Sequence, residues 1–247
     1  MFQPASLKGE SPVPIDERIR NKYLILYIVI IILSFIPCSL FEFWYVYYFW
    51  SESFFWTFFL LLPFNVLVAI YIVQFTATLS SVLILKVVNL IHFPKEGNFK
   101  RSLEDRDYLF WNIRNIIKKW PLFVMASNPF PWFKYRFTLR FFGVKIGKKT
   151  ICDNSWISSE LVSIGENVII GMNSTVLSFG IEQDNFILKE IRVGNDVLIG
   201  AKCVILPGTV IKRNVRLSAH SYTKHNAVLE EDSIYMGHPA KLKKKTE

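Results

Sequence analysis

Cysteine and histidine are scarce in this chain of 247 residues, which contains 3 cysteines and 4 histidines. Cys38 lies in a long apolar run, and Cys152 and Cys203 are distant from each other in the C-terminal half. This spacing matches neither a zinc ligand set nor a disulfide framework. We therefore expect reduced thiols and no bound metal.

Charged side chains are absent from two long stretches, the 19 residues 23–41 and the 33 residues 53–85. A membrane-spanning helix needs roughly 20 apolar residues, so each stretch could cross a bilayer. The second stretch is too long to cross upright. Because proline removes a backbone donor and clashes with the preceding turn, we predict a break at Pro63 and a second span at 64–85.

The flanking charges predict an orientation. Basic residues stand before the first stretch, as at Arg18 and Lys22, and after the second, as at Lys86, whereas only Glu42 and Glu52 are charged between them. The positive-inside rule places both flanks in the cytoplasm. A cleaved signal peptide is the disfavoured alternative, because acidic residues precede the first stretch and a second span follows it.

Composition changes along the chain and sets the domain borders. In residues 41–59, 13 of 19 side chains are aromatic, which predicts a belt at one headgroup level. The net charges of 1–85, 86–149 and 150–247 are −1, +10 and 0, so one middle segment carries the whole surplus of +9. The predicted domains are a cytoplasmic tail (1–22), a two-span hairpin (23–85), a basic connector (86–143) and a repeat domain (144–247).

Within the connector, apolar residues recur at helical spacing over 103–120. Arg106, Arg114, Lys118 and Lys119 largely take the other positions. Such a basic amphipathic helix can lie on an anionic membrane surface. It can equally pack on the next domain with its basic face in solvent, and the sequence leaves both alternatives open. The aromatic and arginine side chains of 121–142 are predicted to anchor the chain at the membrane surface.

From Val144 the sequence repeats every six residues, in twelve hexads with one interruption. Nine of the twelve third places hold an aliphatic residue and the other three a small one. These third places are Ile146, Cys152, Ser158, Ile164, Ile170, Val176, Val193, Ile199, Ile205, Ile211, Leu217 and Thr223. This period fits short strands joined by sharp corners, with three strands to each turn of a parallel β-helix. Twelve hexads predict four coils, a prism about 20 Å tall.

Four segments carry a resemblance to a known family: RFFGVKIG at 140–147, LVSIG at 161–165, ILPG at 205–208 and YMGHPAK at 235–241. With the hexads, they make residues 140–245 resemble the left-handed β-helix (hexapeptide-repeat) acyltransferases. The membrane-associated branch is the most similar, which includes the C-terminal region of poly-lysine synthetase-like proteins and the colanic-acid type acetyltransferases. The predicted fold is a membrane α-helical hairpin followed by an all-β left-handed parallel β-helix.

The resemblance implies a homotrimer that binds acetyl-CoA or another acyl-CoA in the groove between neighbouring β-helices. It implies that Ala201 and Ala219 meet the pantetheine arm and that Lys224 and Lys241 meet the nucleotide phosphates. Some hexapeptide proteins hold zinc with three histidines. Here no histidine falls in hexads one to ten, so no metal is expected.

The family's catalytic histidine stands at the end of the hexad before the interruption, where this chain has Phe179. The acidic residue expected three positions later is present as Glu182. His220 lies five hexads after Phe179 and therefore at a different corner of the prism, but different corners can face one another across a trimer interface. Glu182 and His220 are thus the candidate catalytic residues.

Two hypotheses remain. The first is a membrane-anchored acyltransferase that uses acyl-CoA to modify a membrane-presented sugar, peptide or lipid-linked acceptor, with both termini and the β-helix in the cytoplasm. The alternative is a catalytically silent trimeric scaffold that binds another membrane protein. A nucleic-acid partner is not expected, because the repeat domain is charge-balanced and has no basic stripe.

Overall fold

The computed structural model describes residues 23–128, 130, 133–152, 154–182 and 184–245. The described residues form two compact units. The helical unit combines those of 20–93 with 112–127, and the β-helix unit combines 94–111 with those of 128–247. The predicted N-terminal tail, 1–22, lies outside the described residues.

Two long helices dominate the helical unit: α1 (Leu24–Phe49) and α2 (Phe55–Ile91). By length and composition, both could cross a bilayer. Pro63 lies inside α2, so the predicted break at this residue is wrong. Contacts with α1 on both sides of the proline hold α2 continuous. Tyr45 donates to the Phe58 carbonyl at 2.6 Å, and Asn65 donates to Glu42 at 2.8 Å.

A third helix, α3 (Arg106–Ala126), contributes its residues from Asn112 onward to the helical unit. Side-chain hydrogen bonds join this part to the hairpin at three levels: Ser81 Oγ to the Ile117 carbonyl (3.0 Å), Trp120 Nε1 to Ser34 Oγ (3.1 Å) and Gln74 Nε2 to the Val124 carbonyl (3.0 Å). The sequence positions in α2 fall as those in α3 rise, so the two helices run antiparallel.

Two of the four basic residues of α3 differ from the expectation of a solvated face, whereas Arg106 and Lys119 are exposed as expected. Arg114 and Lys118 are only 1% and 2% exposed. Arg114 donates to the carbonyl of His92, the residue that follows the end of α2, at 3.4 Å. Because buried cations need polar partners, this part of α3 is a packed helix with partnered charges.

Three parallel sheets form the walls of the β-helix unit. The first has β2 (Lys145–Ile146), β4 (Val162–Ile164), β9 (Ile191–Val193), β12 (Val210–Ile211) and β14 (Val228–Leu229). The second has β5 (Ile169–Ile170), β10 (Leu198–Ile199), β13 (Arg216–Leu217), β15 (Ser233–Gly237) and the antiparallel edge strand β16 (Ala240–Lys245). The third has β3 (Trp156–Ile157), β6 (Thr175–Val176) and β11 (Val204–Ile205). The predicted parallel β-helix is confirmed, while the number of four coils stays a prediction.

The repeat pattern explains the core. All twelve third-place residues are at most 9% exposed, including Cys152, Ser158 and Thr223. The parallel registers stack each third place on the next coil, as in the pairs Ile164 with Val193 and Ile170 with Ile199. A continuous column of buried side chains therefore runs along the axis, which is the driving force that a single hexad could not supply.

Corner geometry separates two roles in each hexad. In the described part of the chain, nine of the ten non-glycine residues with positive φ fall at the sixth place of a hexad, among them Asn167, Lys202 and His220, and the tenth, Asp232, continues the same spacing after the last hexad. The fourth-place glycines serve close approach between coils. A Cβ on Gly165 would lie 2.7 Å from the backbone of Gly194, a distance that real Cβ atoms do not show. Glycine is therefore required there by the spacing of the coils.

The interruption of the repeat is an antiparallel hairpin formed by β7 (Phe179–Glu182) and β8 (Asn185–Leu188). It leaves and rejoins the β-helix at one point, where the Lys189 amide donates to the Ser178 carbonyl at 2.9 Å. A further strand, β1 (Gly97–Lys100), pairs with β8. Tyr108, Trp111, Phe186 and Leu188 form a buried cluster beside this small sheet, which fixes where the hairpin lies.

Candidate functional site

The hairpin brings Glu182 to a histidine other than the predicted one. Oε1 of Glu182 lies 3.0 Å from Nε2 of His225, and the two side chains form an ion pair when the imidazole is protonated. The Glu182 side chain is 58% exposed and that of His225 is 29% exposed. The pair therefore lies at the protein surface, with the imidazole partly sheltered.

The repeat explains why His225 stands there. Ser178, Pro207 and His225 occupy the fifth places of hexads six, nine and twelve, and three hexads make one coil. All three therefore stack at one corner, the corner from which the hairpin departs. The sequence argument that placed His220 at a different corner could have found His225, because its hexad is six steps from that of Phe179, a multiple of three.

Gly180 leaves room for the imidazole. A Cβ on this residue would lie 3.2 Å from Cε1 and 3.9 Å from Nε2 of His225, and 3.6 Å from Cγ of Pro207. Its φ is not in the left-handed region, so the glycine is needed here for space and not for backbone conformation. The ring of His225 is thus held between Pro207 below it and the first residues of β7.

The two ring nitrogens of His225 have different surroundings. Nδ1 is buried and has no hydrogen-bond partner among the described residues. Since Nδ1 is shielded, a small molecule can reach the ring only at the edge that carries Nε2, where the Glu182 carboxylate lies. A hydroxyl or amine that approaches this edge would meet both a proton acceptor and a carboxylate.

Phe179, at the place of the family's histidine, is a packing residue. Its ring centroid is 4.8 Å from that of Trp111 and 6.1 Å from that of Trp156. It is the first residue of β7 and lacks the positive φ that most other sixth-place residues have, because the chain here leaves the β-helix. Its side chain anchors the base of the hairpin that carries Glu182.

His220, the other predicted candidate, is a corner residue. It is exposed, has a φ of 58° and donates its backbone N–H to the Ala201 carbonyl at 2.9 Å. Histidine tolerates the left-handed region better than bulky residues do. Among the described residues, the ion pair of Glu182 is with His225, and the structure does not bring Glu182 and His220 together within one chain.

The predicted coenzyme residues lie at the edges of the β-helix. Ala201 and Ala219 stack one coil apart, and a Cβ on Gly200 would lie 2.4 Å from the Ala219 amide nitrogen. Ala201 follows Gly200 and Ala219 follows Ser218, and both alanines lie at a corner where the backbones of successive coils approach closely. Lys224, next to His225, and Lys241, in β16, are exposed. Contact of these four residues with the coenzyme therefore stays a prediction.

Other ionisable groups of the β-helix unit have structural surroundings. Burial raises the pKa of the Cys203 thiol, which lies inside the coil and is therefore a poor nucleophile. At another corner, the pKa of Asp196 is lowered by a hydrogen bond from Asn167 and then by Arg213. Among the described residues, no group of three histidine, cysteine or acidic side chains is placed to hold a metal ion.

Comparison with known proteins identifies the repeat. Residues 190–225 match the family pattern described as bacterial transferase hexapeptide (six repeats), and residues 161–182 match the hexapeptide repeat of succinyl-transferase. These matches support the left-handed hand of the β-helix. They cover the hexads on both sides of the hairpin.

Individual relatives match part of the chain. It is 32% identical over 100 residues to the proposed acetyltransferase YvoF of Bacillus subtilis, covering 39% of this chain and 58% of that protein. It is 29% identical over 104 residues to the delta-poly-L-ornithine synthetase of Acinetobacter baumannii, covering 42% of this chain and 8% of that protein. A hexapeptide-repeat acetyltransferase from Vibrio cholerae, solved with acetyl coenzyme A, superposes with a TM-score of 0.46 at 19% identity, covering 53% of this chain and 85% of that one.

Proposed function

The repeat domain belongs to the hexapeptide-repeat family of acyltransferases, and from this premise we propose that the chain transfers an acyl group from acyl-CoA to a hydroxyl or amine of a membrane-presented acceptor. The observation that carries the proposal is the pair of His225 and Glu182, 3.0 Å apart at the corner from which the hairpin departs. It supplies the histidine that Phe179 does not. The acceptor classes are a sugar, a peptide or a lipid-linked precursor.

In this mechanism, the acceptor hydroxyl approaches the Nε2 edge of His225 and displaces the Glu182 carboxylate from it. With the proton of the neutral ring on Nδ1, Nε2 accepts the hydroxyl proton as the oxygen attacks the thioester carbonyl. Collapse of the tetrahedral intermediate breaks the carbon–sulfur bond, and the imidazolium returns its proton to the sulfur of CoA. Glu182, still within reach, stabilises the imidazolium while it is charged.

The proposal also assigns the coenzyme groove. Three chains around a threefold axis would place the corner that carries Ala201 and Ala219 of one β-helix beside the hairpin corner of the next. The backbone at the two alanines would then contact the pantetheine arm. Lys224 and Lys241 would contact the phosphates, to which lysine binds as a point charge. Four coils remain the proposed length of each β-helix.

The helical unit is proposed as a membrane anchor. α1 and α2 cross the bilayer as a hairpin, with the basic flanks and the β-helix in the cytoplasm, where acyl-CoA is made. Anchoring confines the enzyme to the surface that holds its acceptor and so raises the effective concentration of the acceptor. Extraction of membranes at alkaline pH tests the anchor, because an integral protein stays with the lipid.

The chemistry is tested with the full-length protein in detergent, by the release of CoA from acetyl-CoA with a membrane extract as acceptor. H225Q is expected to lower kcat roughly 10²- to 10⁴-fold, the usual worth of a general base. E182Q loses the charge that stabilises the imidazolium and is expected to lower kcat roughly tenfold to a hundredfold. H220Q is the matched control, and both affinity for acetyl-CoA and activity should stay near those of the unmodified chain. Normal activity of H225Q would contradict the assignment.

A second candidate function is a silent trimeric scaffold. Two observations favour it: Phe179 is packed on Trp111 and Trp156, and Nδ1 of His225 is buried. On this alternative the hairpin corner binds another membrane protein. Calorimetry with acetyl-CoA separates the two functions, because a scaffold of this kind shows no binding and copurifies with a partner at fixed stoichiometry.

A further inference from the structure

Two polar side chains, Glu42 of α1 and Asn65 of α2, meet inside the otherwise apolar hairpin. Asn65 Nδ2 donates to both carboxylate oxygens of Glu42, at 3.1 and 2.8 Å. Asn65 is only 6% exposed, and its Oδ1 is buried without a donor among the described residues. A carboxylate in an apolar helix pair is costly to retain and points to function, so Glu42 indicates a ligand that supplies donors.

A cavity of about 460 Å³ begins at Glu42. Phe35 and Cys38 of α1, Ile70 and Val73 of α2, and Phe123 and Val124 of α3 contribute to its walls. Most of its surface is apolar, and its volume lies within the roughly 300–1,000 Å³ range of ligand pockets. The cavity therefore joins a polar end to an apolar body, the shape of an amphiphile.

The depth of these groups follows from helix geometry. Glu42 lies 18 residues after Leu24, about 27 Å along α1, which approaches the roughly 30 Å thickness of a hydrocarbon core. It also belongs to the aromatic-rich segment 41–59, which is typical of the headgroup level. Ser34, whose carbonyl accepts a bond from Thr76 of α2, lies about 15 Å along α1, near mid-depth.

The end of α3 closes the cavity at mid-depth. Val124 accepts a hydrogen bond from Gln74, and Ser34 accepts one from Thr76, two residues further along α2. Val124 and Ser34 therefore lie at nearly the same depth. Since α3 runs antiparallel to α2, its second half enters the apolar layer from the Lys86 side and stops there, as a re-entrant wall. The backbone at the end of α3 is tolerated at this depth of the bilayer because it packs on the other helices.

We propose that this cavity binds a lipid with a primary ammonium headgroup. The ammonium donates to the Glu42 carboxylate, which lines the cavity, and one acyl chain lies between α1, α2 and the end of α3. Lipid tails are as apolar as the helix surfaces, so the chain alone gives little selectivity and the headgroup supplies it. The inference rests on the membrane anchor of the proposed function and does not depend on acyl transfer.

The test uses the full chain in vesicles of phosphatidylcholine and phosphatidylglycerol that contain a trace of a photoactivatable lipid. One probe is a phosphatidylethanolamine with a diazirine in its acyl chain. The matched probe has the same chain on phosphatidylcholine, whose quaternary ammonium has no N–H donor. We expect labelling of peptides around Ile70 and Val124 to be roughly tenfold higher with the ethanolamine probe, the worth of a hydrogen bond to a charged group.

Two variants sharpen the test. E42Q is expected to reduce labelling by the ethanolamine probe to the level of the choline probe. I70W fills the cavity and leaves the polar pair intact, so it should lower labelling with both probes, whereas V68W, on a neighbouring exposed position outside the cavity walls, should not. Equal labelling by the two probes, or unchanged labelling in both E42Q and I70W, overturns the proposal.

Failure of this inference is distinguishable from failure of the proposed function. A chain that resists alkaline extraction but labels equally with both probes retains its anchor and lacks the lipid site. A chain that alkaline extraction releases has no membrane anchor, and the lipid site falls with it. The loss of acetyl transfer in H225Q reports on the chemistry alone.

Discussion

Replacement of Phe179 by histidine restores the residue type that the resembled family has at this position. The structure nevertheless predicts that F179H loses stability and gains no activity. The Phe179 ring lies 4.8 Å from Trp111 and 6.1 Å from Trp156, so an imidazole there would lie against two indole rings. A proton acceptor in this position would face indole rings instead of an acceptor hydroxyl.

The expected loss of stability follows from these two ring pairs. Each aromatic pair contributes about 0.5–1.5 kcal/mol beyond the area it buries, and an imidazole keeps part of that contact. We therefore expect F179H to lose about 1–2 kcal/mol of unfolding free energy. For a chain of this size, 1 kcal/mol corresponds to a shift of about 2–4 °C in Tm, so the melting temperature should fall by roughly 2–8 °C.

Thermal unfolding followed by circular dichroism and CoA release from acetyl-CoA provide the two measurements. F179L is the control, because it keeps an apolar side chain and cannot accept a proton. If F179H raises kcat well above that of F179L and the unmodified chain, the assignment of the base to His225 is refuted. If F179H melts at the same temperature as the unmodified chain, the packing role of Phe179 is wrong.

Three further predictions concern the same unit. G180A places a Cβ 3.2 Å from Cε1 of His225, so it should displace the ring by a few tenths of an ångström and lower kcat roughly tenfold, with little change in Tm. I170A should cost about 2–5 kcal/mol in thermal unfolding, because this side chain is 3% exposed, whereas the adjacent I169A, 44% exposed, should cost about 0.5 kcal/mol or less. The pKa of Asp196 is lowered in the folded state, chiefly by its hydrogen bond from Asn167. The stabilisation from the charged carboxylate is therefore present above the ordinary carboxyl pKa and is lost as pH falls through the folded value. D196N should make Tm less sensitive to pH in that acidic range.

The repeat could be predicted from the sequence because its energetics are local and periodic. Each hexad needs one buried side chain at the third place, and all twelve are buried, even where the residue is Ser158 or Thr223. The pairing of coils then follows from the period. The requirement for glycine at the fourth place could not be predicted from the sequence. Only the distance between coils shows that a Cβ on Gly165 would clash with Gly194.

The helical unit was less predictable, because helix ends and exposed faces depend on partners. Pro63 remains within α2 since α1 contacts the helix on both sides of it. Arg114 and Lys118 have the spacing of a solvated face, yet both are buried, because α3 has a helix hairpin beside it. Hydrophobic periodicity indicates that one face of a helix packs on a neighbouring element. It does not show whether the opposite face is also buried.

The candidate site shows a limit of a different kind. His225 obeys the hexad lattice, so its corner follows from counting, but Glu182 belongs to a hairpin that leaves the lattice at Ser178 and returns at Lys189. No period places a residue within such an excursion. What places it is the packing of Phe179 on Trp111 at the base of the hairpin and the space that Gly180 leaves beside the imidazole. The residue that replaces the family's histidine is therefore part of the reason why another histidine has a carboxylate partner: the aromatic anchor that cannot accept a proton positions the strand that carries Glu182.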